Sequence, residues 1–271
     1  MTIKGFIIDV DGVLVDSPLE RAWGDTLRRL METEWADLRA TSAWTPTAYT
    51  SEVYQDHVSG RARAEGARDL LGYFGIADPD GSRTERLCEL KQKMILELIA
   101  AGEFEAYGDA LRFLTNAKNA GGLLAAASSS KNANAMLGVV KADPTGPPLL
   151  KLFDANVCGQ DFKPGKPHPG IFLAAAKVLG LEPAQCVVIE DATSGVKAAK
   201  AAGAACIGVA RLNNCDDLRQ AGADWVVTSL DQVFPARTAN GIALRLNDVT
   251  IKQYLSGKPC PFRGDTPNPK P

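Results

Sequence analysis

Six short, mainly apolar runs punctuate the sequence: Gly5 to Val10, Leu123 to Ala127, Phe153 to Val157, Cys186 to Ile189, Ala205 to Ala210 and Trp225 to Val227. A strand with one wet face alternates apolar and polar residues, whereas a strand covered on both faces is apolar throughout. These runs therefore predict a parallel sheet sandwiched between helices, an α/β fold. The segments between them agree. Pro169 to Leu179 and Ser194 to Ala202 repeat apolar residues at helical spacing, and each is followed by a glycine (Gly180, Gly203) suited to a helix C-cap.

The first two runs lie far apart in the chain. From Ser17 to Glu105 the stretches RAWGDTLRRLM, RARAEGARDLLGYFGI and RLCELKQKMILELIAA carry helical periodicity. This predicts a helical domain over 17–105, inserted into a core of 1–16 and 106–235. Residues 236–271 read as a partly flexible C-terminal extension, with an exposed tail from Gly257 rich in Pro, Lys and Gly.

Charge narrows the function. Lys and Arg number 30 against 32 Asp and Glu, too balanced for a phosphate-backbone binder. The opening MTIKGFIIDVDG is broken by Asp9 and Asp11, so neither a secretory signal nor a membrane span is expected there. Cys88, Cys158, Cys186, Cys206, Cys215 and Cys260 lack metal-binding spacing and read as free thiols in a reducing cytoplasm. GQDFKPGK is not a P-loop, and no GxGxxG follows the first run.

The chemistry-bearing residues fall at successive strand ends, the edge at which open α/β sheets bind ligands. DVDGVLVDS places Asp9 and Asp11 there; SSSKN adds Ser128 and Ser130; GKPHPGIF adds Lys166; VVIEDATSG adds Glu190 and Asp191. Each has a plain alternative: a turn, a capping cluster, a solvated lysine, a helix N-cap. Their consistent order favours a phosphoryl-transfer site. Gathered carboxylates repel one another, and a hard Mg2+ offsets that repulsion while gripping a phosphate. Ser128 and Lys166 supply a donor and a positive charge for phosphate oxygens. Asp9 is expected to attack phosphorus, forming an aspartyl-phosphate. Asp11 is expected to protonate the leaving oxygen and then deprotonate the incoming nucleophile. An ordinary Asp pKa of about 3.9 is too low for that acid role, so its surroundings must raise it.

These four segments, in this order, resemble the motifs of the haloacid dehalogenase superfamily, and the chain to about residue 235 looks like its beta-phosphoglucomutase-like subgroup. The resemblance implies a Rossmann-like core with an inserted helical cap. It implies metal ligation by Asp9, the Asp11 backbone carbonyl and Asp191, with Glu190 contributing directly or through water. It also implies that Arg63, three residues after Gly60, and Lys91 reach substrate from the cap, and that Ser130 and Asn132 belong to a sugar- and phosphate-binding loop. One departure stands out. Where mutases of the group carry a His a few residues beyond Asp16, DSPLERAW offers Leu19. His57 and His168 read as packing and turn residues.

The expected activity is Mg2+-dependent phosphoryl transfer on a small phosphorylated metabolite, a sugar phosphate, by a phosphatase. A hexose phosphate mutase and a non-catalytic binding protein of the same fold are the alternatives. No nucleic acid or membrane partner is expected, and a monomer is favoured with the oligomeric state open.

Overall fold

The computed structural model describes residues 2–59, 61, 63–143 and 145–247. The chain divides into two compact units, 1–16 with 105–271, and 17–104. It begins with β1 (Gly5–Ile8) and β2 (Val15–Asp16), then enters the helical unit of α1 (Leu19–Glu32), α2 (Ser51–His57), α3 (Arg63–Tyr73) and α4 (Ser82–Ala100). The α/β unit resumes with β3 (Glu105–Ala106), α5 (Gly108–Asn119), β4 (Leu123–Ala126), α6 (Ala133–Val139) and β5 (Ala155–Asn156). It continues through α7 (Gly170–Val178), β6 (Cys186–Glu190), α8 (Thr193–Ala201), β7 (Ala205–Val209), α9 (Cys215–Gln220), β8 (Trp225–Val227), β9 (Val233–Thr238) and β10 (Gly241–Leu246).

Six strands form one parallel sheet in the order β5-β4-β1-β6-β7-β8. The chain moves outward from β1 on one side and then returns to its other side, so β1 and β6 flank the topological switch point where such sheets bind ligands. Every residue of β1, β6 and β7 is buried, as their unbroken apolar character requires. Ile7, Val188, Phe172, Val196 and Leu218 pack into one core cluster, and Phe6 meets Phe113 edge-on at 5.3 Å. Gly180 and Gly203 take φ of 70° and 80°, the left-handed conformation that lets each chain leave its helix.

Two aspartates tie neighbouring strands by the same device. Asp154 accepts from the amide of Leu124 and from Lys118 Nζ, while Asp224 accepts from the amide of Cys206 and from Lys200 Nζ. Each precedes an outer strand and satisfies a donor on the strand beside it.

The helical unit has its own core, in which Trp23, Leu27, Leu30 and Met31 of α1 pack with Leu70, Leu71, Phe74 and Leu87. Asp78 opens α4 by accepting from the amides of Arg83 and Thr84 and from the Thr84 hydroxyl, satisfying donors that a helix start leaves unpaired.

The structure departs from expectation in three places. Glu105 pairs with Asp16 across the antiparallel β2–β3 ribbon and so joins the α/β unit. Residues 233–246, which span the expected start of the extension, form a hairpin instead. The amide of Ile242 donates to Ile3 O, and Arg237 Nε donates to Ala120 O. Its pattern is faint because Val233 and Ile242 are buried while Phe234 points outward. Cys215 is disulfide-bonded, which corrects its reading as a free thiol; Cys88, Cys158, Cys186 and Cys206 are free. The tail from Gly257 and Cys260 lie outside the described residues.

The start of α5 is fixed by a buried ion pair. Asp109 accepts from Arg211 Nη1 and Nη2, both at 2.9 Å, and from the Ser229 hydroxyl and the Leu230 amide. Burial raises the Asp109 pKa, but Arg211 and the other donors outweigh it and hold the carboxyl below its ordinary 3.8. A depressed folded pKa contributes stability above 3.8 that disappears as the pH falls through the lower folded value. Asp109→Asn should therefore unfold at lower urea than the parent at pH 7, by about 2 kcal/mol. Urea midpoints measured down to pH 3 should show that gap closing below 3.8; a gap independent of pH would contradict the ion-pair origin.

Candidate active site

The switch point sets the geometry of the site. The amide of Asp9 donates to Ile189 O, so Asp9 extends the β1–β6 ladder by one residue and is as fixed as the sheet. Past it the chain leaves the ladder in a tight turn. Leu14 and Val15 amides donate to Val10 O, and the Gly12 amide donates to Val15 O. Asp11 rides on this turn, and its Oδ2 accepts from Ser128 Oγ at 3.3 Å. Ser128 follows β4, is 2% exposed, and accepts in turn from the Ser130 amide. Ser130 Oγ accepts from the Asn132 amide, so SSSKN folds as a chain of serine-to-amide bonds.

Lys166 enters from the loop before α7. Its ammonium donates to Asp9 Oδ1 at 2.6 Å and to Glu190 Oε1 at 2.5 Å, and it lies 5.1 Å from the Phe172 ring centroid. Glu190, 1% exposed, accepts through Oε2 from the amides of Asp191 and Ala192. Both its oxygens are thus engaged, and Glu190 is placed to position Lys166. Asp191 is not the N-cap of α8, a position held by Ala192. Its carboxylate crosses over Gly12, and Asn214 Nδ2 donates to its main-chain oxygen.

Electrostatics follow from this crowding. Burial pushes the Asp9 carboxyl up to about 7; Lys166 opposes the rise, and Glu190 and Asp11 add to it. Burial, then Glu190 and Asp9, hold Asp191 well above the usual carboxylate range. Burial disfavours the charge on Lys166, but Asp9 and Glu190 outweigh it and raise its pKa. The lysine is a fixed cation among an excess of acids.

The structure thus brings together Asp9, Asp11, Ser128, Lys166, Glu190 and Asp191, with Ser130 and Asn132 on the adjoining loop. Arg63 and Lys91 belong to the helical unit. There Arg63 is exposed at the start of α3, while Lys91 is buried on α4 with its ammonium 5.4 Å from the Trp23 ring centroid. Both lower the pKa of the Cys88 thiol against the larger opposing effect of burial. Gly60 lies outside the described residues. His57 stacks on Tyr73 at 4.4 Å, and His168 Nδ1 accepts from the Gly170 amide, the packing and turn roles their surroundings suggest.

A family model described as haloacid dehalogenase-like hydrolase matches residues 3–203. The chain belongs to this family. It is an enzyme of that hydrolase group, and its relatives include both phosphatases and mutases. It is 32% identical to a phosphorylated carbohydrates phosphatase of Thermotoga maritima, over 82% of this chain and 92% of that protein. It is 29% identical to a beta-phosphoglucomutase of Mycobacterium bovis, over 85% of this chain and 91% of that one. Among solved structures, an archaeal beta-phosphoglucomutase from a Pyrococcus species superposes with a TM-score of 0.66 at 28% identity, covering 94% of this chain and all of that one.

Two glycines in the family motifs earn a physical role here that sequence reading missed. A Cβ at Gly12, whose φ is 78°, would collide with the Asp191 carboxylate, and one at Gly195 would collide with that of Glu190. Gly138, in α6, faces open space. Gly195→Ala should cost about 1–3 kcal/mol of stability, and both Gly12→Ala and Gly195→Ala should lower phosphate release at least about hundredfold. Gly138→Ala should stay within about 1 kcal/mol with full activity. Equal effects at all three positions, read by melting and by phosphate release, would contradict this account.

Proposed function

We propose that this enzyme is an Mg2+-dependent phosphatase of small sugar phosphates, working through an aspartyl-phosphate on Asp9. The observation that carries the reading is the single sheet edge at which Lys166 bridges Asp9 and Glu190 while Ser128 donates to Asp11. Four carboxylates converge there on one buried ammonium, a set of hard oxygen donors short of positive charge. That is the donor chemistry Mg2+ prefers. The ligands would be Asp9, the Asp11 main-chain carbonyl and Asp191, with Glu190 acting through water. When bound, Mg2+ supplies charge that offsets the acids and the incoming phosphate.

In the first step an Asp9 oxygen attacks phosphorus, the bond from phosphorus to the ester oxygen breaks, and Asp11 gives its proton to that oxygen. Lys166 and Ser128 hold the non-bridging oxygens. In the second step Asp11 takes a proton from water, which attacks the aspartyl-phosphate and releases inorganic phosphate and free Asp9.

A mutase is the second reading, favoured by the beta-phosphoglucomutase relatives. It differs in that a sugar hydroxyl, not water, accepts the phosphoryl group. Leu19, which stands at the start of α1, has no group to relay a proton to that hydroxyl, and this favours the phosphatase. Arg63 and Lys91 are the cap residues proposed to meet the sugar phosphate. Balanced charge speaks against a nucleic-acid partner, and no described helix is long and apolar enough to cross a membrane. A cytoplasmic monomer is the form proposed.

A panel of sugar phosphates, each with and without a hexose bisphosphate, tests this directly. Free phosphate should appear with Mg2+ and cease with chelator, and Asp9→Ala should lose roughly a thousandfold or more. An isomerised sugar phosphate in place of free phosphate would favour the mutase; an active Asp9→Ala would exclude the aspartyl-phosphate.

A further inference from the structure

Arg211 lies in the loop after β7, at the edge that carries the site. Its guanidinium grips Asp109 with both terminal nitrogens at 2.9 Å and sits 4.0 Å from the Tyr107 ring centroid. The two charged side chains are 12% and 9% exposed. Asp109 is itself anchored by Ser229 and Leu230, so the guanidinium is held at a fixed point. From that point Nη2 also donates to Val13 O at 3.3 Å.

Val13 belongs to the turn that carries Asp11. The next carbonyl in that turn, Leu14 O, accepts from the amide of Tyr107, the residue whose ring Arg211 covers. Arg211 therefore grips the turn twice, directly at Val13 and through Tyr107 at Leu14. The two carboxylates at the site differ in what holds them. Asp9 is part of the β1–β6 ladder, whereas Asp11 lies beyond it on a turn bridged across to Val15, with Ser128 Oγ donating to its carboxylate.

We infer that Arg211 is a positioning residue for Asp11: its fork on Asp109 and its stack on Tyr107 hold the Val10–Val15 turn so that the Asp11 carboxyl meets the ester oxygen leaving phosphorus. Lysine cannot replace it, since one ammonium lacks the planar fork and the stacking face. The inference rests on the phosphatase reading above and adds to it a residue outside the four motifs. Arg211 contacts the turn that carries Asp11, whereas Asp9 is mounted on the β1–β6 ladder.

This separation dictates the test. A nitrophenolate leaves phosphorus with little help from an acid, whereas an alkoxide needs a proton from Asp11. Arg211→Lys is assayed with Mg2+ on 4-nitrophenyl phosphate and on glycerol 2-phosphate, reading kcat/KM, which covers the steps up to aspartyl-phosphate formation. The expected loss is about tenfold or more on the alkyl ester, as for a misplaced catalytic group, and less than about twofold on the aryl ester. Asp109→Asn, which keeps the shape and weakens the fork, is expected to give the same pattern more weakly, and it carries the test if Arg211→Lys does not fold. Equal losses on both esters, or no loss on either, overturn the inference and assign the ion pair to stability alone. Parent protein that hydrolyses neither ester, or an Asp9→Ala protein that still does, overturns the phosphatase reading and the inference with it.

Discussion

The buried ammonium of Lys166 is the interaction on which the rest of the site depends. Asp9 and Glu190 are inside the protein, where an isolated carboxylate is too costly to keep charged. Lys166 reaches both at hydrogen-bond distance, yet the Asp9 carboxyl still stands at about 7, because burial and the neighbouring acids outweigh one lysine. The edge is therefore built short of positive charge. A phosphate alone would worsen that imbalance, and a divalent cation corrects it.

That arrangement propagates outward. Glu190 can hold Lys166 only if its carboxylate lies flat against the start of α8, where it accepts from two amides. This in turn leaves no room for a side chain at position 195. Asp191 folds back over Gly12, so the loop after β6 packs onto the turn after β1 at a glycine. The small residues of these motifs are consequences of where the carboxylates must lie.

Much of this was legible in the sequence. Unbroken apolar runs marked the inner strands of the parallel sheet, because double-sided burial leaves no alternation to hide them, whereas β5 at the edge carries Asn156. Acidic, serine and lysine positions at successive strand ends marked the site, because that edge of the sheet is shared. What escaped notice had no local signature. That Glu190 also holds Lys166 shows only once its partners are seen. The hairpin of Val233 to Leu246 buries too few side chains to produce a clear period. The join at Asp109 and Arg211 spans 102 positions of chain, and nothing near either residue announces the other.

The two central aspartates, two residues apart, obey different constraints. On the proposed mechanism Asp9 must meet phosphorus along one line, and its mounting is the sheet ladder. On the same proposal Asp11 serves two events, the departure of one oxygen and the arrival of another. Its mounting is a turn held from outside the sheet, by Arg211 at Val13 and by the Tyr107 amide at Leu14. That turn is followed by β2, which pairs with β3 where the chain returns from the helical unit. The acid–base residue thus sits on the same short stretch of chain as the connection to the helices that carry Arg63 and Lys91. If Asp9 is the nucleophile and Asp11 the proton donor, the first is mounted on the sheet while substitutions at Tyr107, Asp109 or Arg211 would act on the turn that carries the second.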